Sequence, residues 1–459
     1  MARAIARARA IARARARAWA RAKAKAKEGR RIMPRMVAML GMVIAGCTMQ
    51  VYAKTDLEFL RSLTLDILAQ SRVAPGTNGP PNWGIKNTVG FSLVTPGRRG
   101  YPAFWIRDFS MACDSGLVPT KEIENHFLLV AKCQSGASVR RLKSGGVLPP
   151  FSIPDHINFD GSAVFYPGTY SSGEDQGAEP WGTYPPADDH YEFVHLGWLL
   201  AQQSRSKAFL TTKVGAISSL ERMEKAFLAP EFEPSNGLFV TTQQKRAVGF
   251  GFCDSITFTG KVLYPSLLRF RAATELFGLT RDRKYRDEAS KIARNIPLTF
   301  GELDSGWLMA ATELGRQPDV WGTLLALHLG VLDSSRSKRA RQTILKAFKA
   351  GTIALEGAVR HVPTDRDFSG SSAWEKAMGG KGTYQNGAYW HTPTGFLIET
   401  LMKEDKTLVR RVFADYVAHL RKGGEIPWEC FNPAIGHTQN GGYLASVAWP
   451  YSVLNGLRF

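Results

Sequence analysis

The chain predicts an all-α fold, an (α/α)6 toroid in which six buried inner helices are ringed by six outer ones. Two observations carry the expectation. Amphipathic stretches alternate along the chain with stretches that are apolar on nearly every side, and a helix hydrophobic all round is buried on both sides. The loops entering the apolar stretches are also long and aromatic, whereas connections in a compact domain are ordinarily short unless they carry function.

Taken in order, an outer helix near 55–70 precedes an inner one near 107–117, and 119–133 precedes 188–203. The alternation continues with 210–228 before 260–277, 283–296 before 318–332, 334–350 before 387–402, and 404–421 before 441–455. The 404–421 helix is the clearest. Leu408, Val409, Val412, Phe413, Tyr416, Val417 and Leu420 recur at one-face spacing, and Gly423-Gly424 end it. The loops 91–107, 151–188, 238–259, 361–386 and 423–442 all lead into inner helices, so they gather on one face of the ring. Turns such as Asn236-Gly237-Leu238-Phe239-Val240 suit small β-hairpins there. Residues 54–459 read as a single catalytic domain without a linker.

The N-terminus reads differently. Residues 1–32 are a low-complexity basic extension of Ala alternating with Arg or Lys, a composition that cannot bury a core. Residues 1–36 carry a net +12 of the chain's +19. The body is therefore only mildly basic, and no nucleic-acid partner is expected. Residues 33–53 read as a signal peptide, with Arg35 followed by the apolar run Val37–Ile44, too short to span a bilayer. Ile44-Ala45-Gly46-Cys47 resembles a lipobox, and Val51-Tyr52-Ala53 offers an ordinary cleavage site. Export follows, either to the periplasm or to the membrane through a lipid anchor on Cys47. Oxidation there would allow Cys113, Cys133, Cys253 and Cys430 one or two disulfides, and a Cys253–Cys430 bridge would tie two loops together. No cysteine or histidine cluster has metal spacing, and neither metal nor cofactor is expected.

Several loop motifs could carry chemistry. Phe104-Trp105-Ile106-Arg107-Asp108 offers an aromatic face for a sugar ring, with Arg107 and Asp108 for its hydroxyls, or a plain helix start with a local ion pair. Asp188-Asp189-His190 opens the second inner helix, as caps, as hydroxyl ligands or with one acid catalytic. Asp254 lies between Cys253 and Ser255, among apolar neighbours that raise a carboxyl pKa as a general acid requires. Tyr384-Gln385-Asn386-Gly387 with Trp390 groups amides and aromatics suited to a saccharide. Glu429, between Trp428 and Cys430-Phe431, is unlike a solvated surface acid and needs a partner or a role. Two such acids from remote loops suit inverting glycoside hydrolysis, in which one carboxyl protonates the leaving oxygen and the other activates water.

These motifs resemble the six-hairpin glycosidases, the superfamily of glucoamylase, trehalase and processing α-glucosidases. The resemblance covers nearly all of 54–459. Trp105-Ile106-Arg107-Asp108 is similar to the glucoamylase-type Trp-x-Arg-Asp, which implies that Arg107 and Asp108 bind the terminal sugar. Asp254 falls where these enzymes place their general acid, and Glu429 where they place their base. Trp428–Pro433 resembles the trehalase and α-glucosidase pattern, and Tyr384–Gly387 a Tyr-x-Asn-Gly segment of the superfamily. Cys253-Asp254-Ser255 departs from both known acid motifs, so Asp188 or Asp189 stands as the alternative acid. The expected function is removal of a terminal sugar from an oligosaccharide or glycoside by inversion. The alternatives are an unsaturated-uronide hydrolase, lyase, epimerase or phosphorylase on the same fold, or a carbohydrate-binding lipoprotein without catalysis.

Overall fold

The computed structural model describes residues 40–79, 85–97, 101–177, 180–245, 252–302 and 305–457, with backbone alone for 40–54. The basic extension 1–32 and residues 33–39 of the signal segment lie outside the described residues. Twelve α-helices occur among those described, and they alternate as outer and inner. The outer six are α1 (Leu40–Gln70), α3 (Thr120–Cys133), α5 (Ser219–Leu228), α7 (Arg283–Phe300), α9 (Ser334–Lys349) and α11 (Lys406–Lys422). The inner six are α2 (Ile106–Asp114), α4 (Asp188–Ser204), α6 (Leu263–Thr280), α8 (Val320–Leu329), α10 (Thr394–Leu401) and α12 (Ala445–Leu454).

Each inner helix packs against the next, and α12 returns to α2, which closes the ring. Burial follows the same division. Every residue from Ile106 to Cys113 of α2 is buried, as is every residue from Ala445 to Tyr451 of α12. In α11 only one face is buried: Val409, Val412, Phe413, Tyr416, Val417 and Leu420, with Leu408 half-buried at the edge. Gly395 lets α10 approach α12 closely, because a Cβ there would fall 2.9 Å from the Cβ of Val453 and 3.1 Å from the Cα of Pro450.

The helix starts differ between the two rings. Ser218, Asp282, Asp333 and Asp405 cap α5, α7, α9 and α11 by accepting a backbone N–H through their side chains. Such a cap contributes about 1 kcal/mol. Of the inner helices only α8 is capped in this way, by Asp319. The starts of α2, α4, α6, α10 and α12 have no capping side chain. Their N-termini end on the loop face.

Two helix starts shift. The first outer helix begins at Leu40, not near 55, so helical backbone runs across both candidate cleavage positions. The fifth inner helix begins at Thr394, not near 387. Gly387 at φ +108 and Pro393 at the helix boundary exclude helix across that stretch. The turn carrying Asp254 lies, as expected, in the loop before the third inner helix, which starts at Leu263. Small hairpins do form on the loop face, including 428–432 paired with 437–441. Cys113, Cys133, Cys253 and Cys430 are all free thiols, so no bridge joins the loops of Asp254 and Glu429.

Candidate active site

Arg107, in the first turn of α2, is buried among carboxylates. Its Nε donates to Asp188 Oδ2 at 2.8 Å and its Nη2 to Asp188 Oδ1 at 3.3 Å, a forked pairing across the starts of two inner helices. Its Nη1 donates to Asp254 Oδ1 at 3.3 Å. Nη2 also lies 3.7 Å from Asp155 and 3.6 Å from Asp189. Burial works against the guanidinium charge, yet the surrounding carboxylates hold it firmly protonated.

Asp155 stands one residue before the strand 156–158, which pairs antiparallel with 103–105. That register sets His156 opposite Trp105, and their rings stack at 4.7 Å. The indole N–H of Trp105 donates to Asp155 Oδ2 at 3.1 Å, and His156 Nδ1 sits 2.8 Å from the same oxygen. These partners and Arg107 keep the Asp155 carboxyl low against its burial. Asp254 is held otherwise. Ser255–Thr257 pair with 376–378, and Gln385 Oε1 accepts from both the N–H and the hydroxyl of Ser255. The Tyr384 hydroxyl donates to Asp254 Oδ2 at 3.4 Å. Burial raises the Asp254 carboxyl above its usual range, with Arg107 opposing.

Glu429 lies in the strand 428–432 and not in an open loop. Tyr101 donates to its Oε2 at 2.8 Å, and Asn440, across the hairpin, donates to the same oxygen at 2.6 Å. Among the described residues Oε1 accepts no hydrogen bond. Burial pushes Glu429 up to about 7, these two donors oppose, and Asp108 and Asp254 add to the rise. Asp108 is itself pushed to about 7 by burial, against a hydrogen bond from Tyr443 at 2.5 Å and the charge of Arg107. Phe252, Tyr384 and Asn440, which flank these acids, all adopt positive φ. Such backbone strain in non-glycine residues concentrates at functional sites.

No protein-family model matches the sequence, and no curated protein matches it. Solved structures do. A GH63 mannosylglycerate hydrolase from Thermus thermophilus in complex with glucose superposes with TM-score 0.52 at 14% identity, covering 86% of this chain and 99% of its own. A wild-type glycosidase gives 0.51 at 12% identity over 88% of this chain and 96% of its own. Cellobiose 2-epimerase from Spirochaeta thermophila gives 0.52 at 10% identity over 88% and 96%. The fold is that of the six-hairpin glycosidases.

Within this six-hairpin fold, Trp105, Arg107, Asp108, Asp188, Asp189, Asp254, Tyr384 and Glu429 belong to one connected cluster of hydrogen bonds and ion pairs and the charges next to them. Trp428 is half-buried beside Gly441 of the same hairpin. Other anticipated side chains are engaged elsewhere. His190 Nε2 accepts the N–H of Ile153, and the ring borders a separate cavity of about 390 Å³ under Tyr184, Phe232 and Phe239. Asn386 Oδ1 accepts from Ala373 N–H, and Trp390 is fully buried against Phe252, Trp321 and Tyr384. Gln385 acts on Asp254 from behind, by accepting from the N–H and the hydroxyl of Ser255.

Tyr101, Asp155, His156, Asn440 and Tyr443 were not anticipated. For Tyr101, Asp155, His156 and Asn440 the only sequence signal is membership of the long loops that lead into inner helices, whereas Tyr443 falls in the stretch read as the last inner helix. No group of three or more metal-ligating side chains occurs among the described residues, and none of their helices is long and apolar enough to cross a membrane.

Proposed function

We propose that the chain is an exported glycoside hydrolase that removes a terminal sugar by inversion, with Asp254 as general acid and Glu429 as general base. The observation that carries the reading is the meeting of two elevated carboxyls from remote loops in one cluster, beside the Trp105 face. The solved structures of similar fold include glycosidases, one of them with glucose bound.

In this scheme Asp254 gives its proton to the glycosidic oxygen as the bond to the anomeric carbon breaks. Glu429 Oε1 takes a proton from the water that attacks the opposite face, and the product has inverted configuration. Arg107 orients Asp254 and Asp188, while Trp105, stacked on one face by His156, offers its other face to the sugar. Burial raises the Asp254 carboxyl, the direction a general acid requires, and Glu429 at about 7 is a base poised for work near neutrality.

A panel of aryl glycosides and plant or algal oligosaccharides tests this. Asp254→Asn and Glu429→Gln are each expected to lower kcat about 10³-fold or more on any substrate the parent cleaves. Full activity in either variant removes that residue from its role. Proton NMR of the first-formed anomer is expected to show inversion, and a retained product would refute it. The same spectra would reveal epimerisation without bond cleavage, the chemistry named for one structure of similar fold. Oligosaccharide binding with no product from the whole panel would favour a purely binding role. Export is tested by sequencing the mature N-terminus in the native cell. Cys47 with a lipid, or Lys54 without one, is expected, and an intact Met1 would exclude both.

A further inference from the structure

We propose that this site accepts neutral or cationic glycosides and rejects uronides, because Arg107, the one arginine or lysine among the described residues that pairs with its acids, is already committed to them. The inference rests on the glycoside-hydrolase reading and deepens it to a substrate class.

Six acids meet here: Asp108, Asp155, Asp188, Asp189, Asp254 and Glu429. Among the described residues Arg107 is the one arginine or lysine that forms ion pairs with them. Its forked face is taken by Asp188 and its remaining nitrogen by Asp254. Recognition of a sugar carboxylate by a fork of N–H donors would require a guanidinium with that face open. His156 spends Nδ1 on Asp155, and its ring covers Trp105.

Buried polar atoms beside these acids also lack a hydrogen-bond partner among the described residues. Both oxygens of Asp189, which is fully buried, make no hydrogen bond, and His156 Nε2, on a side chain 1% exposed, makes none. Burial and three neighbouring acids raise the Asp189 carboxyl well above its usual range, with Arg107 opposing. A neutral pyranoside offers hydroxyls to these groups without adding charge. A uronate would add a further anion to a region already short of positive charge, where the dielectric is low and repulsion is strong.

The test is calorimetric binding to the full-length protein, with no requirement for turnover. Glucose, galactose and mannose are compared with glucuronate, galacturonate and mannuronate, and with the matching protonated iminosugars. In the configuration that binds, the neutral sugar is expected to bind at least 10-fold more tightly than its uronate, and the iminosugar more tightly than either. Asp254→Asn takes away the carboxyl that holds Arg107 Nη1, so it is expected to narrow the neutral-to-uronate ratio several-fold. A uronate that binds as well as its neutral partner overturns the inference and leaves the hydrolase reading standing. An unchanged ratio in Asp254→Asn removes its electrostatic basis. If no sugar or iminosugar of the panel binds, both readings fall together.

Discussion

At the scale of single residues, Glu429 brings together one carboxyl, two donors and a buried setting. Tyr101 and Asn440 both spend their hydrogen bonds on Oε2, which fixes the group while leaving Oε1 for a water. Tyr101→Phe and Asn440→Ala are therefore expected to lower kcat by roughly 10- to 100-fold with a smaller change in KM. Each donor also lowers the Glu429 pKa, so removing one moves the acidic limb of kcat/KM above its parental position near pH 7. An unmoved limb would mean that the donor does not act through Glu429. A stability effect accompanies this. The folded-state pKa of about 7 exceeds the ordinary glutamate value of 4.5, so the folded protein binds this proton more tightly than the unfolded chain does. Ionisation consequently costs stability as pH rises from about 4.5 through 7. Glu429→Gln is expected to raise stability at pH 8 by up to about 3 kcal/mol, a gain that vanishes near pH 4. Urea unfolding of parent and variant at both pH values measures it.

At the scale of elements, the legible parts were those whose burial follows a regular period. The apolar face of α11 was readable almost residue for residue, because one-sided burial imprints a 3.6-residue repeat. The start of α10 was not. Tyr389 exchanges both backbone hydrogen bonds with Phe431, and Trp390 does so with Val359. Those partners lie far away in sequence, so no local pattern reveals that residues 389–390 are strand-like. Glu429 belongs to the same case, since its strand is defined by a hairpin whose return leg supplies Asn440. The inner helices make a sharper demand at Gly395. Gly395→Ala places a methyl against Val453 and the Pro450 backbone, and is expected to destabilise the protein by about 1–3 kcal/mol in urea unfolding. An unchanged midpoint would mean that α10 and α12 can separate without cost.

At the scale of the whole molecule, the ring is joined beneath the site by buried ion pairs. His195 Nδ1 lies 2.6 Å from Glu275 and its Nε2 3.3 Å from Asp114, and Trp449 donates to the same Asp114 at 3.1 Å. This set unites α2, α4, α6 and α12. Burial and Arg271 oppose the His195 charge, but Glu275 and Asp114 prevail and hold it at about 9. With an unfolded value near 6.5, its contribution is fully present below about pH 6.5 and is lost as pH rises through 9. The Tm is expected to fall across that window, and His195→Gln to be less stable at pH 6 with a flatter profile. A parallel decline in both proteins would show that His195 does not carry the effect.

The sequence by itself determined the helical alternation, the toroid and the candidate acids, because burial on one face or all round is written into local residue pattern. It also pointed to Arg107 and Glu429, through residue types that rarely stand among aromatics without a partner. Only the tertiary structure decided which side chains meet. Arg107 joins Asp188 and Asp254, Tyr101 reaches Glu429, and Asp155 and His156 enter beside Trp105. These contacts span up to 328 residues of the chain, and ring closure, not local periodicity, brings their loops to one face.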